Sequence, residues 1–143
     1  MRFRFTAMAV ALAVGLTTPA LAHHSLAAEY DQNKVATIKG TISEVTWRNP
    51  HASITLAIKN PDGSIRSMKV EIAPPGALTR KGFDPAILKI GAPVTIEAWM
   101  PKDSGNTTQS AGRTITLVDG RQFDVADSWM WQSLNATAPT PIR

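Results

Sequence analysis

The chain has 143 residues, no cysteine, and 15 lysines and arginines against 11 aspartates and glutamates. Without cysteine it has no disulfide framework, no thiolate metal site and no cysteine nucleophile, so the hydrophobic core alone must stabilise the fold. The basic residues form no continuous run that would follow a phosphate backbone, and nucleic acid is therefore not an expected partner.

The first 22 residues have the pattern of a secretory signal peptide. Arg2 and Arg4 form a basic start, the apolar run from Thr6 to Leu16 is too short to span a bilayer, and Ala20-Leu21-Ala22 is a small-x-small cleavage site. Cleavage there would leave 121 of the 143 residues, with His23 first and a balance of 13 basic to 11 acidic side chains. No later stretch is a candidate membrane span, and we expect a single exported domain in the periplasm.

Three strands are predicted after a lead-in of residues 23–34, which ends in the turn signal Asp31-Gln32-Asn33. The first strand is expected over Val35–Trp47, and its apolar positions change phase between Ile42 and Val45, which predicts a bulge or a strong bend. The second and third strands are expected over residues 51–59 and 65–72, because their apolar and polar residues alternate around a hairpin turn at residues 60–63.

A helical connector separates the third strand from the last ones. Residues 76–88 are expected to form short helical turns, since Gly82 and Pro85 interrupt a longer helix. Strands are predicted at residues 91–99 and 114–118, with a short return at residues 121–123. Three strands, a connector and two strands is the order of the OB-fold, a five-stranded Greek-key barrel. We therefore predict an all-β, OB-like barrel over residues 23–123.

Residues 124–143 are expected to be a partly disordered C-terminal extension. A short helix within it would carry Trp129 and Met130, with Trp131 next to them.

Seven short segments, taken together and in order, resemble one known family. The segments are His23-His24-Ser25, Tyr30-Asp31, Lys39-Gly40-Thr41, Asn49-Pro50-His51, Asp62-Gly63, Leu78-Thr79-Arg80-Lys81-Gly82 and Asp119-Gly120-Arg121. The family is that of small exported bacterial proteins known as domain of unknown function 6152, and the similarity covers about residues 23–123. Two positions depart from the family pattern, with Met68 and Phe83 where tryptophan is usual. The resemblance implies an exported barrel-like domain and brings no established activity.

A mature chain that begins with histidine offers a copper site. The free α-amino group and the Nδ1 atom of His23 can chelate one ion, and a second imidazole, from His24 or His51, would complete a three-nitrogen histidine brace. Nitrogen ligands of this kind favour Cu(II). The competing interpretation is that His23 and His24 form a solvated tail and His51 is a turn residue.

The alternative function is a metal-free interaction module that holds a peptide, a glycan or an exported partner protein. Its binding surface would lie at the barrel rim, with Trp47, Asn49 and Trp99 as ligand-binding residues, because OB barrels bind extended ligands with exposed aromatic side chains. Catalysis is not expected, since the sequence has no Ser-His-acid set, no glycine-rich phosphate loop and no H-E-x-x-H motif. We expect a binding protein, with copper as its most concrete ligand.

Overall fold

The computed structural model describes residues 26–126, and within them the fold is a β-barrel with short helical connections. A four-residue helix, α1 (Leu26–Glu29), leads directly into the first strand. The predicted signal peptide, His23, His24 and the segment around Trp129 lie outside the described residues. The strands are β1 (Tyr30–Thr46), β2 (Ala52–Lys59), β3 (Ile65–Ile72), β4 (Pro93–Pro101), β5 (Gln109–Leu117) and β6 (Gln122–Asp124).

Five strands close into a ring, as the sequence predicts. The sheet order is β3-β2-β1-β4-β5-β6, and a further parallel pairing between β3 and β5 joins the two sides of the sheet. All the other pairings are antiparallel. The long strand β1 pairs with β4 along its first part and with β2 along its second part, so it belongs to both sides of the barrel. This is the OB-like Greek-key arrangement.

The predicted change of phase in β1 is a break in register. Ile42 pairs with Leu56 and Val45 pairs with Ile54, so three steps on β1 match two on β2. Gly40 lies just before this break, and a Cβ atom there would approach the carbonyl oxygen of Ala57 to 3.0 Å. The bend therefore brings β1 and β2 so close together that a side chain at position 40 would push its neighbours aside.

The core follows the predicted inward phase of the strands. Period-two alternation places one face of each strand inside the barrel, and α2 (Pro75–Arg80) and a 3₁₀ turn (Pro85–Ile87) cover one end. Leu117, which was expected in the core, is only half-buried and packs against its edge. The buried core residues that the sequence predicts are Ile38, Ile42, Ile54, Leu56, Ile58, Val70, Ile72, Val94, Ile96 and Ile115.

The first strand begins five residues earlier than the sequence suggests. Asp31-Gln32-Asn33 is typical of a turn, but the strand already starts at Tyr30 and continues through these residues. The local turn chemistry is still present, because the carboxylate of Asp31 accepts a hydrogen bond from the backbone N–H of Asn33 at 2.9 Å. It forms where the register between β1 and β4 shifts, between Tyr30 and Val35. The strand thus accommodates the turn preference as a bulge, because pairing with β4 occurs at Tyr30 and again from Val35, on either side of these residues.

Packed structure also continues beyond residue 123. Val125 and Ala126 are fully buried. The carbonyl of Val125 accepts a hydrogen bond from the backbone N–H of Ala73, and the N–H of Val125 donates to the carbonyl of Arg113. The ammonium group of Lys81 contacts the carboxylate of Asp124 at 3.1 Å. Residues 124–126 are therefore part of the barrel domain. Between residues 26 and 126, no helix is long and apolar enough to cross a membrane.

Candidate functional site

The turn between β1 and β2 forms the rim on which the candidate site lies. Arg48, Asn49 and Pro50 are exposed, and the peptide bond between Asn49 and Pro50 is cis. Proline has no backbone N–H to donate to a neighbouring strand, so pairing stops here and resumes at Ala52. His51 is the last residue before β2. The rim thus presents Asn49 to solvent and leads directly into His51.

His51 contacts a carboxylate on the neighbouring strand. Its Nδ1 atom forms an ion-pair contact with Oε1 of Glu71, and the two side chains are 19% and 27% exposed. Glu71 is the register partner of Ser53, which lies two residues after His51 on the same outer face of β2. Among residues 26–126 this is the only polar contact of the His51 side chain. Because Nδ1 is engaged, Nε2 is the ring nitrogen left to bind a ligand.

Tyr30, the first residue of β1, lies near the same carboxylate, because it packs against Ala111 on β5, which is the register partner of Glu71. Its side chain is 3% exposed. Burial, with smaller contributions from the negative charges of Glu71 and Glu29, raises the pKa of Tyr30 above its ordinary value. The phenol therefore stays neutral and is not an anionic metal ligand. Its role is positional, since it fixes the first residue of β1 close to Glu71 and thus close to the partner of His51.

A complete metal site is not present within the described residues. Between residues 26 and 126 there is no group of three or more histidine, cysteine, aspartate or glutamate side chains that could hold an ion. His51 and Glu71 supply one free imidazole nitrogen and one supporting carboxylate. Any further nitrogen ligands at this rim must come from outside residues 26–126, and the predicted partners His23 and His24 are both there.

Trp47 lies at the opposite side of the turn and packs on the end of the barrel. It is half-buried, and its ring stacks on Phe83 with the centroids 6.2 Å apart and the planes at 26°. Phe83 in turn meets Phe123 edge-on, with a centroid distance of 5.1 Å. Trp47 is thus part of an aromatic cluster that includes the buried Phe83. One face of its ring is committed to this packing.

Trp99 is not an exposed ligand-binding residue, in contrast to the expectation from the sequence. It is 3% exposed and packs with Tyr30, Ala111 and Ala126 in a second small core outside the barrel. The guanidinium group of Arg113 lies 5.3 Å from its ring centroid. Trp99 is buried because the start of β1 and the residues after β6 both cross the outer face of β4 and β5. Trp47 and Trp99 therefore belong to separate clusters and form no common platform.

The sequence reasoning missed Glu71 and the contribution of Tyr30. A signal for Glu71 was available in the hairpin, because a turn at residues 60–63 sets Ser53 opposite Glu71 and puts His51 on the same face. No sequence signal placed Tyr30 near Glu71, since their proximity depends on how the ring of strands closes.

Comparisons with known proteins give a family and two structures with limited similarity. Residues 11–111 match the model of a family of unknown function (DUF6152). No curated protein matches the sequence. Among solved structures, the mitochondrial single-stranded DNA binding protein Rim1 of S. cerevisiae is similar in two crystal forms. The first has 19% identity and a TM-score of 0.45, over 59% of this chain and 92% of that one. The second has 21% identity and the same TM-score, over 59% and 94%.

Proposed function

Because the chain belongs to a family of unknown function, DUF6152, we propose its function from the site: it is an exported, periplasmic domain that binds copper with its mature N-terminus. In this proposal the α-amino group and Nδ1 of His23 chelate Cu(II), and Nε2 of His51 is the third nitrogen ligand. The observation that carries the proposal is the contact between His51 and Glu71, beside the buried Tyr30 from which the chain leads back to His23.

The chemistry of His51 suits a metal ligand. Imidazoles that bind metals commonly donate their other ring N–H to a carboxylate, which fixes the tautomer and makes the ligating nitrogen more basic. Glu71 is placed to accept from Nδ1, which directs Nε2 to the ion. An amine with two imidazole nitrogens favours Cu(II) over the other divalent first-row ions.

The length of the N-terminal segment also fits. Tyr30 lies seven positions after His23 in the chain. A fully extended segment of that length spans at most about 25 Å, and the four helical residues of α1 shorten this by roughly half over their own length. Because Tyr30 is anchored near Glu71, the segment that leads back to His23 begins on the side of the barrel that carries the His51 and Glu71 pair. His24 is the competing donor, and a site made of His23 and His24 alone would not need the barrel.

The metal-free interaction module is the alternative, and the aromatic residues give it less support. Of its three expected ligand-binding residues, Trp99 is buried, Trp47 has one face covered by Phe83, and only Asn49 is exposed. A binding surface would have to rely on Asn49 and other parts of the rim.

The test is a Cu(II) titration by calorimetry of two proteins that differ in one residue. The first begins at His23, verified by its intact mass, and the second carries one additional alanine before His23. We expect one-to-one Cu(II) binding by the first and at least tenfold weaker binding by the second, because its α-amino group no longer belongs to His23. Equal affinities, or no stoichiometric binding by the first protein, would contradict the proposal and favour the metal-free module.

A further inference from the structure

A groove of about 450 Å³ with a mixed polar and apolar lining crosses the outer face of four strands, away from the rim with His51. Its walls come from β1, β2, β4 and β5, near the bend at which β1 passes from one side of the barrel to the other. None of the residues that line it belongs to the His51 and Glu71 pair. The groove is therefore a separate feature of the barrel, and its chemistry does not depend on copper binding.

Two lysines from adjacent strands face this groove. Thr41 on β1 is the register partner of Ala57 on β2. Lys39 lies two residues before Thr41, and Lys59 lies two residues after Ala57. Both lysines line the groove. Both lysines therefore lie on the outward face and share one groove, where their like charges repel each other.

No opposite charge in the described structure relieves this repulsion. Among residues 26–126, neither lysine has an ion pair or a side-chain hydrogen bond, and no aspartate or glutamate lines the groove. The hydroxyl-bearing residues Thr41, Thr95 and Thr116 line it as well, and Thr95 and Thr116 are register partners on β4 and β5. The groove thus combines two cationic donors with three neutral groups that donate or accept hydrogen bonds, without a competing anion.

We propose that this groove binds a phosphate group through Lys39 and Lys59. A phosphate dianion has several acceptor oxygens, so it can bridge two ammonium groups and accept from threonine hydroxyls at the same time. A single carboxylate has fewer acceptor sites and one charge. The apolar lining at Pro93, Leu117 and Val118 adds contact area for an organic group attached to the phosphate.

The experiment measures binding of inorganic phosphate and of phenyl phosphate to the full mature protein by calorimetry and by NMR chemical shifts. Three variants lose one lysine charge each: Lys39→Gln, Lys59→Gln and the control Lys69→Gln. Lys69 is exposed on β3 and does not line the groove. We expect saturable binding, tighter for phenyl phosphate, that weakens at least tenfold in Lys39→Gln and in Lys59→Gln and is unchanged in Lys69→Gln. Shifts should concentrate at Thr41, Thr95 and Thr116.

The source of the phosphate is tested with vesicles of phosphatidylcholine that contain or lack phosphatidic acid. Binding of the soluble compounds alone identifies a phosphorylated small molecule, and lysine-dependent binding of the phosphatidic acid vesicles identifies a lipid headgroup. The proposal is overturned if neither phosphate compound nor the vesicles bind saturably, or if Lys69→Gln weakens binding as much as the two groove variants. The thermal midpoint of each variant, measured at low and high salt, checks that the variants are folded. The thermal midpoint should not fall in Lys39→Gln or Lys59→Gln, because each change removes the repulsion between the two lysines.

Discussion

His51 and Glu71 contact each other across β2 and β3 although they are not register partners. The carboxylate reaches diagonally from the position opposite Ser53 to Nδ1 of the imidazole that precedes the strand. Diagonal pairs of this kind are within reach of long side chains. The contact fixes which ring nitrogen of His51 faces outward, and this makes Glu71 the residue that orients the proposed copper ligand.

Replacing Glu71 by glutamine should therefore weaken Cu(II) binding without removing a ligand. Loss of a carboxylate that supports a metal-binding histidine typically costs roughly 10- to 100-fold in affinity, and we expect a loss in this range for Glu71→Gln. The measurement is a calorimetric Cu(II) titration of protein that begins at His23. Glu44→Gln is the control, because Glu44 is exposed on β1 and the substitution changes the net charge equally. An unchanged affinity in Glu71→Gln, or an equal loss in both variants, would argue against this role.

Trp99 should matter for stability and not for ligand binding. Its indole is buried against Tyr30, Ala111 and Ala126, and truncation of a buried tryptophan to alanine typically costs about 3–5 kcal/mol in the free energy of unfolding. We expect Trp99→Ala to fall in that range and Trp47→Ala, at a half-buried position, to cost less. Urea unfolding of both variants gives the comparison. A cost below about 1 kcal/mol for Trp99→Ala, the level of surface substitutions, would mean that the outer cluster is not packed as described.

Gly112 allows a close approach between β5 and β3, its parallel neighbour in the barrel. A Cβ atom there would lie 2.9 Å from Cγ2 of Ile72, 3.1 Å from Cγ1 of Val70 and 3.3 Å from Cγ2 of Val125. We expect Gly112→Ala to destabilise the fold by about 1–3 kcal/mol, because an inserted methyl group forces these side chains apart. The control is Gly76→Ala in α2, where the nearest atom is in the Arg80 side chain at 3.6 Å. That change should be neutral or stabilising by up to about 1 kcal/mol, because it reduces the freedom of the unfolded chain. Similar unfolding midpoints for the two variants would contradict the close approach.

The hairpin turn between β2 and β3 should show a defined dependence on pH. The side-chain hydroxyl and the backbone N–H of Ser64 both donate to the carboxylate of Asp62, and these bonds lower the pKa of Asp62 below its ordinary value of 3.8. Because the pKa is lower in the folded chain, the contribution of Asp62 to stability is fully present above the unfolded value. It is lost as the pH falls through the folded value.

An NMR titration of the side-chain carboxyl carbons tests this directly. Asp62 should titrate below 3.8 in the wild-type protein and move upward in Ser64→Ala, which removes the hydroxyl donor. Asp119 is the internal control, since its pKa is lowered by hydrogen bonds from the backbone and side chain of Arg121 instead. If the pKa of Asp62 does not rise in Ser64→Ala, or if the pKa of Asp119 rises equally, the hydrogen bonds from Ser64 do not have the proposed effect on Asp62.

The faces of the strands were predictable because period-two alternation is a local property. Ile54, Leu56 and Ile58 alternate with polar or small residues, and they enter the core as expected. The bulge after Ile42 was also visible, since a strand that keeps its apolar residues inside must gain a residue where the phase slips. The start of β1 could not be predicted, because Asp31-Gln32-Asn33 shows a local turn preference, whereas the pairing with β4 depends on residues far away in the chain.

The surroundings of the site could not be predicted without knowing which strands become neighbours. Trp99 is an aromatic residue near a strand end, and only the crossing of Tyr30 and Ala126 over it explains its burial. The proximity of Lys39 and Lys59 also depends on the arrangement of the strands, because these lysines are twenty positions apart in the chain and line one groove. Motifs along a single segment predicted His51 as a candidate, and the barrel adds Glu71 to it.

The most direct test of copper binding at the barrel rim is the Cu(II) dissociation constant of protein that begins at His23, compared between His51→Ala and His24→Ala. We expect His51→Ala to weaken binding at least tenfold, which corresponds to about 1.4 kcal/mol, and His24→Ala to have a smaller effect. His51 is partly exposed at the rim, so its loss should leave the unfolding midpoint nearly unchanged. If His51→Ala leaves the affinity intact and His24→Ala abolishes binding, the copper site is confined to the N-terminal tail and the barrel rim has no part in it.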